Sequence, residues 1–147
     1  MAQRELMSWG ACLKEHIKKI PKDKERAKAL LSMAKLRHEF LTVYEFNQKY
    51  SSIVAEGYYE IMKELLTALF YIEGYNSDNH ECLISYLRQH YPDLVYEAGI
   101  IHQLKNIRND IGYKGFIIDP DYLEKNKLEF KHIIKILEKL ISDKLKK

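Results

Sequence analysis

The sequence predicts an all-α protein, an antiparallel up-and-down helical bundle preceded by an extra N-terminal helix. Three observations carry that expectation. Only three prolines and six glycines interrupt 147 residues, so long helices are free to form, these two being the weakest helix formers. Apolar residues recur three and four apart along several segments, the spacing that places them on one face of a helix. No segment alternates apolar and polar residues convincingly over a strand's length, so no sheet is expected.

Residues 3–19 form a first, loosely attached helix, ended by Pro21. Asp23 then caps a long helix whose Ala27, Leu30, Leu31, Ala34, Leu41 and Tyr44 recur at helical spacing among Lys, Arg and Glu. Such a one-sided helix needs a partner. Ser51 or Ser52 caps the next, where Val54, Tyr58, Ile61, Leu65, Ala68, Leu69 and Ile72 make a broad apolar face before Gly74 ends it. That helix is the best core candidate. Residues 75–79 are rich in turn formers, and Asp78 or Asn79 caps a short helix through His90 carrying Leu83, Ile84 and Leu87. Pro92 breaks the chain again. From about Leu94 to Gly112 a narrow stripe of Ile100, Leu104, Ile107 and Ile111 marks another helix, closed by Gly112 and Gly115. Pro120 and Asp121 open the last, whose Phe130, Ile133, Ile134, Leu137, Leu140 and Ile141 run to about Leu145. Helices joined by short loops bury their stripes against one another, which gives one domain over 1–147, with a bundle at 23–145 and an N-terminal extension at 1–20.

The composition, 46% apolar and 31% charged, matches a folded globular chain rather than a disordered one. The longest uncharged apolar run is far shorter than the ~20 residues of a membrane span, and the first residues lack a signal peptide's apolar core, so a cytoplasmic protein with no membrane contact is expected. Cys12 and Cys82 are too few and too far apart for a zinc site or a disulfide framework, and a reducing compartment would keep them as thiols. The net charge of +3, from 24 basic against 21 acidic residues, permits nucleic-acid binding without arguing for it. No His, Asp or Glu group has metal-ligand spacing, so no metal or cofactor is expected.

Three stretches carry a resemblance. Tyr58-Tyr59 leads into Leu65-Leu66-Thr67-Ala68-Leu69; Gly74-Tyr75 is followed by His80, Leu83 and Leu87; and Leu104 to Tyr113 holds the pair Arg108-Asn109. In this order they resemble the HEPN family of helical nucleotide- and RNA-associated domains, whose signature is an arginine, a small polar residue and then a histidine. Here Tyr113 occupies the histidine's place. The resemblance spans about Ser51 to Tyr113. It implies a helical bundle that commonly forms a two-fold dimer, with the signature residues of both subunits facing a shared cleft. Active members cleave RNA without metal; many are toxins paired with a nucleotidyltransferase-type antitoxin, and others are noncatalytic binding modules.

Arg108 lies on the flank of its helix stripe, where the stem can follow apolar surface and the guanidinium can meet a phosphate, with Asn109 beside it. An ion pair with Glu97, three turns back, or with another helix is the competing use. Tyr113 follows by five residues, about 140° around an unbroken helix, so the two converge only if the helix unwinds near Gly112 or if they meet across a dimer axis. Metal-independent RNA cleavage needs a base for the ribose 2′-hydroxyl, an acid for the leaving oxygen and a cation for the phosphorane. A tyrosine with a pKa near 10 is ionised to only about one part in a thousand at pH 7, so it is a poor base, although it can hydrogen-bond a phosphate or stack on a base. His102, six residues before Arg108 and on the face of Asn106, Asn109 and Tyr113, is the nearest replacement, with a solvent-facing position of no catalytic role as its plainer reading. His80 caps a turn or packs on the bundle, and His132 sits on a Lys-rich face. The expected function is a nucleotide- or RNA-associated binding module with a degenerate ribonuclease signature, against the alternatives of a working ribonuclease using Arg108 with Tyr113 or His102, or a protein-binding scaffold.

Overall fold

The computed structural model describes residues 5–147, so residues 3 and 4 of the expected first helix lie outside the described part. That helix is shorter than anticipated. α1 (Trp9–Glu15) starts where Ser8 Oγ accepts from the Ala11 N–H, and it ends at His16, whose N–H donates to the Cys12 carbonyl. The chain then extends as β1 (Ile17–Lys19), which pairs antiparallel with β2 (Tyr75–Ser77), Lys18 opposite Asn76. This corrects the expectation of no sheet. Three-residue strands are too short to leave a period-two pattern, and what forms them is backbone pairing beside helix ends.

The remaining helices are α2 (Lys24–Thr42), α3 (Ser51–Glu73), α4 (Glu81–His90), α5 (Val95–Lys114) and α6 (Pro120–Leu145). Among the described residues the protein is a mostly helical bundle, and none of its helices is long and apolar enough to cross a membrane. α3 is the central element. It packs against α2, α4, α5 and α6 and buries residues all round its circumference, from Tyr58, Ile61 and Leu65 to Tyr59, Met62 and Leu66, as a helix enclosed by others must.

Several ends form as the sequence predicts. Asp23 accepts from the Arg26 N–H, and Asn79 Oδ1 accepts from the Glu81 N–H at the start of α4. Gly74 closes α3 at φ +84°, where a side chain would also press on the Ile20 carbonyl. The start of α3 differs: the Ser51 hydroxyl donates to the Gln48 carbonyl and Ser52 Oγ accepts from the Ile118 N–H, so neither serine caps the helix. Ser52 instead ties the α5–α6 connection to α3.

The N-terminal segment is not loosely attached. α1 packs on α4, which brings the Cα atoms of Cys12 and Cys82 to 5.7 Å, and the two form a disulfide. The expectation of free thiols is thus corrected; seventy residues of sequence separation hid a contact that packing creates. Trp9 completes the attachment, its ring meeting those of Phe70, Tyr75, Tyr86 and His90 edge-on.

Candidate functional site

α5 carries the Arg-Asn pair, and its burial changes along its length. Ala98, Ile101 and Leu104 are buried against the bundle, whereas Ile107 and Ile111 are only partly covered and Tyr113 is 78% exposed. The buried stripe therefore runs through Ala98 and Ile101 rather than through Ile100, Ile107 and Ile111. Continued by i+3 and i+4 steps from Ile101 it leads through Leu104 and Lys105 to Arg108, which turns Arg108 towards α3.

There Arg108 Nη2 lies 3.1 Å from Glu60 Oε1. Both side chains are about one-third exposed, and the alignment makes this a charge pair rather than a well-formed hydrogen bond, with Arg108 Nε buried and without a hydrogen-bond partner. Glu60 also meets Lys63 Nζ at 2.6 Å. The ion pair is thus with another helix, not with Glu97. His80, just before α4, joins the group: its pKa is lowered, first by burial and then by the charges of Lys63, Lys105 and Arg108, with Glu60 opposing. Beneath them Tyr59 is buried, and its hydroxyl is pushed well above the ordinary phenol value by burial and by Glu60, with Arg108 opposing.

Three sequence expectations change. The helix runs unbroken through Gly112 and Tyr113 to Lys114, and Gly115, at φ +65°, closes it. Arg108 and Tyr113 therefore point about 140° apart and do not converge within one chain. Asp110 does not fray the helix; its carboxylate pairs with Lys114 at 3.4 Å. His102 is 8% exposed, a buried residue rather than a solvent-facing one, because α5 is still inside the bundle at that turn. The helix emerges only later, so His102 and Tyr113 share a face by angle but not an environment. Asn109 stays beside Arg108, half-buried.

Glu60, Lys63 and Lys105 were not singled out from the sequence. A signal existed: Lys105 precedes Arg108 by three and Lys63 follows Glu60 by three, so each pair shares a helix face. That the two faces meet could not be read without the packing of α5 on α3.

A groove of about 390 Å³ lies elsewhere, lined by His38, Leu128, Lys131, His132, Lys135 and Glu138. His38 faces Tyr58, about 200° around α3 from Glu60. Its charges are balanced: Lys131 is taken by the buried Glu45 at 2.8 Å, Glu138 offsets Lys135, and burial lowers the His38 pKa. The Arg108 cluster, with its cationic excess, is the stronger candidate. Among the described residues no group of three or more His, Cys, Asp or Glu is placed to hold a metal ion. No known protein family, curated protein or solved structure matches the chain.

Proposed function

We propose that the chain is a HEPN-like bundle that binds the phosphates of RNA or of a nucleotide at the Arg108 cluster, with a ribonuclease signature too degenerate for efficient cleavage. One observation supports this above others: three cations, Lys63, Lys105 and Arg108, gather with His80 around one carboxylate, Glu60, on a partly exposed surface. Asn109 adds an amide donor beside them. A phosphate entering there trades the loosely aligned Glu60 contact for a charge-assisted one with the Arg108 guanidinium. Tyr113 stands apart and cannot act as a base on that phosphate.

RNA affinity measured at two salt concentrations tests this. Arg108→Ala is expected to weaken binding about tenfold and to make the salt dependence shallower by about one ion. Affinity untouched by Arg108→Ala would leave the arginine a structural ion pair and the protein a scaffold. Incubation of RNA with wild-type protein in chelator is expected to show no cleavage.

The pH dependence has a definite sign. In the free protein His80 titrates below its ordinary 6.5; its neutral form contributes stability above that value that is lost as pH falls through the folded pKa. Bound phosphate favours the protonated ring, so binding takes up a proton, and affinity should rise between pH 7.5 and 5.5. In His80→Asn that rise should flatten; an unchanged profile would place His80 outside the site.

A second reading is favoured by the exposed apolar residues at the far end of α5. Ile53, Tyr113, Phe116 and Ile117 are all more than half exposed there. A homodimer closing on them sets Tyr113 of one copy towards Arg108 of the other in a shared cleft, as in a metal-independent ribonuclease, here the toxin of a pair with a nucleotidyltransferase-type antitoxin. Cleavage in chelator that is lost in both Arg108→Ala and Ile117→Lys would establish it. Either function belongs in the cytoplasm on this proposal, and trapping thiols in intact cells would show whether Cys12 and Cys82 are joined there.

A further inference from the structure

α2 has two apolar faces, and the fold uses one. Ala27, Leu31, Ala34 and Leu41 are buried against the bundle. Met33, Leu36, Phe40 and Val43 lie on the opposite side, between 45% and 72% exposed, roughly 180° away at 100° per residue. Their spacing of three, four and three is the seam of a two-helix coil. Tyr44 and Phe46 extend the surface past the helix end, the Phe40 and Tyr44 rings 5.3 Å apart and Lys127 Nζ over the Phe46 ring. With about 200 Å² for a fully exposed large side chain, these six expose roughly 700 Å². That exceeds the ~300–600 Å² of the largest patch on a typical monomer and approaches the ~800 Å² per partner of a stable interface.

We infer that this face pairs with the same face of a second copy, α2 against α2 in antiparallel register about a two-fold axis near His38. That register sets Met33 against the second copy's Val43 and Leu36 against its Phe40, closing the stripe on itself as an isologous interface must. It also sets Lys35 near the second copy's Glu39, and Glu39 near its Lys35, both being exposed on one flank of the stripe. A parallel pairing would oppose Ser32 to Arg37 and Glu39 to Tyr44 and gain no reciprocal charge pair. Because α3 stands between α2 and α5, the two Arg108 clusters of such a pair face outwards rather than into one cleft. The inference does not rest on the functional proposal, since self-association is measured without RNA.

Sedimentation equilibrium of the full chain tests it. The wild type should be dimeric, and Leu36→Lys or Phe40→Lys should weaken the dimer roughly a hundredfold, each change counting twice across the axis. Lys35→Glu and Glu39→Lys singly should weaken it about tenfold, and the two together should restore it. All four positions are exposed, and circular dichroism checks that each variant folds. A wild type monomeric at every concentration, as expected if another protein covers this face, would overturn the inference. So would a dimer indifferent to Leu36→Lys but lost in Ile117→Lys, or a double charge swap no tighter than its singles.

Discussion

Reduction of Cys12–Cys82 is expected to lower the stability of the protein by up to about 4 kcal/mol, the entropy returned to the unfolded chain when a loop of about 70 residues opens. For a chain of this length that corresponds to roughly 10 °C in melting temperature. Cys12→Ser and Cys82→Ser should melt at the reduced protein's temperature and ignore reductant. The Trp9 contacts with Phe70, Tyr75, Tyr86 and His90 are noncovalent and persist, so the reduced protein should still fold. Oxidised and reduced protein melting within a degree or two of each other would show that α1 is not part of the cooperative unit.

Lys131→Met is expected to cost about 3 kcal/mol, although Lys131 is itself partly exposed. The reason is its partner. Glu45 has a side chain only 3% exposed; it takes the Lys131 ammonium at 2.8 Å on one oxygen and the Tyr58 hydroxyl at 2.8 Å on the other. Burial works to raise the pKa of this carboxyl, but the hydrogen bonds from Lys131 and Tyr58 outweigh it and hold the group below its ordinary 4.5. Removing the lysine leaves a buried, poorly compensated charge, which is far costlier than the pair is favourable. Adding Glu45→Gln should therefore recover most of the loss, and urea unfolding of the four proteins of this cycle measures it. Because the folded pKa is depressed, the pair's stabilisation is present above pH 4.5 and lost as pH falls through the folded value. Equal losses in the single and double variants would show that Glu45 is indifferent to its partner.

The same residues show what the sequence could and could not reveal. The boundaries of α2, α4 and α6 were legible because Asp23, Asn79 and Pro120 leave local signals at helix starts. The core face of α3 was legible because its apolar residues outnumber anything a surface helix would carry. Contacts between distant segments were not. Cys12 with Cys82, Glu45 with Lys131 and Glu60 with Arg108 depend on which helices become neighbours, and no local rule encodes that. The candidate site fell between the two. Arg108 was found by its motif, but its orientation was misjudged, because the stripe of Ile100, Ile107 and Ile111 is a partly exposed edge of α5 rather than its buried face.

The Cys12–Cys82 bridge also fixes how far this chain can be drawn out. Gripped at its two ends and pulled, the oxidised protein can pay out only the residues outside the bridge, because residues 13–81 lie within the bonded loop and carry no tension once Cys12 and Cys82 bear the load. At about 3.5 Å per extended residue the shielded loop holds roughly 240 Å of contour, slack that a reductant would release. Under tension the α4–α6 segment would unravel first, and α2 and α3, which hold the middle of the bundle, would stay beyond the reach of the pull.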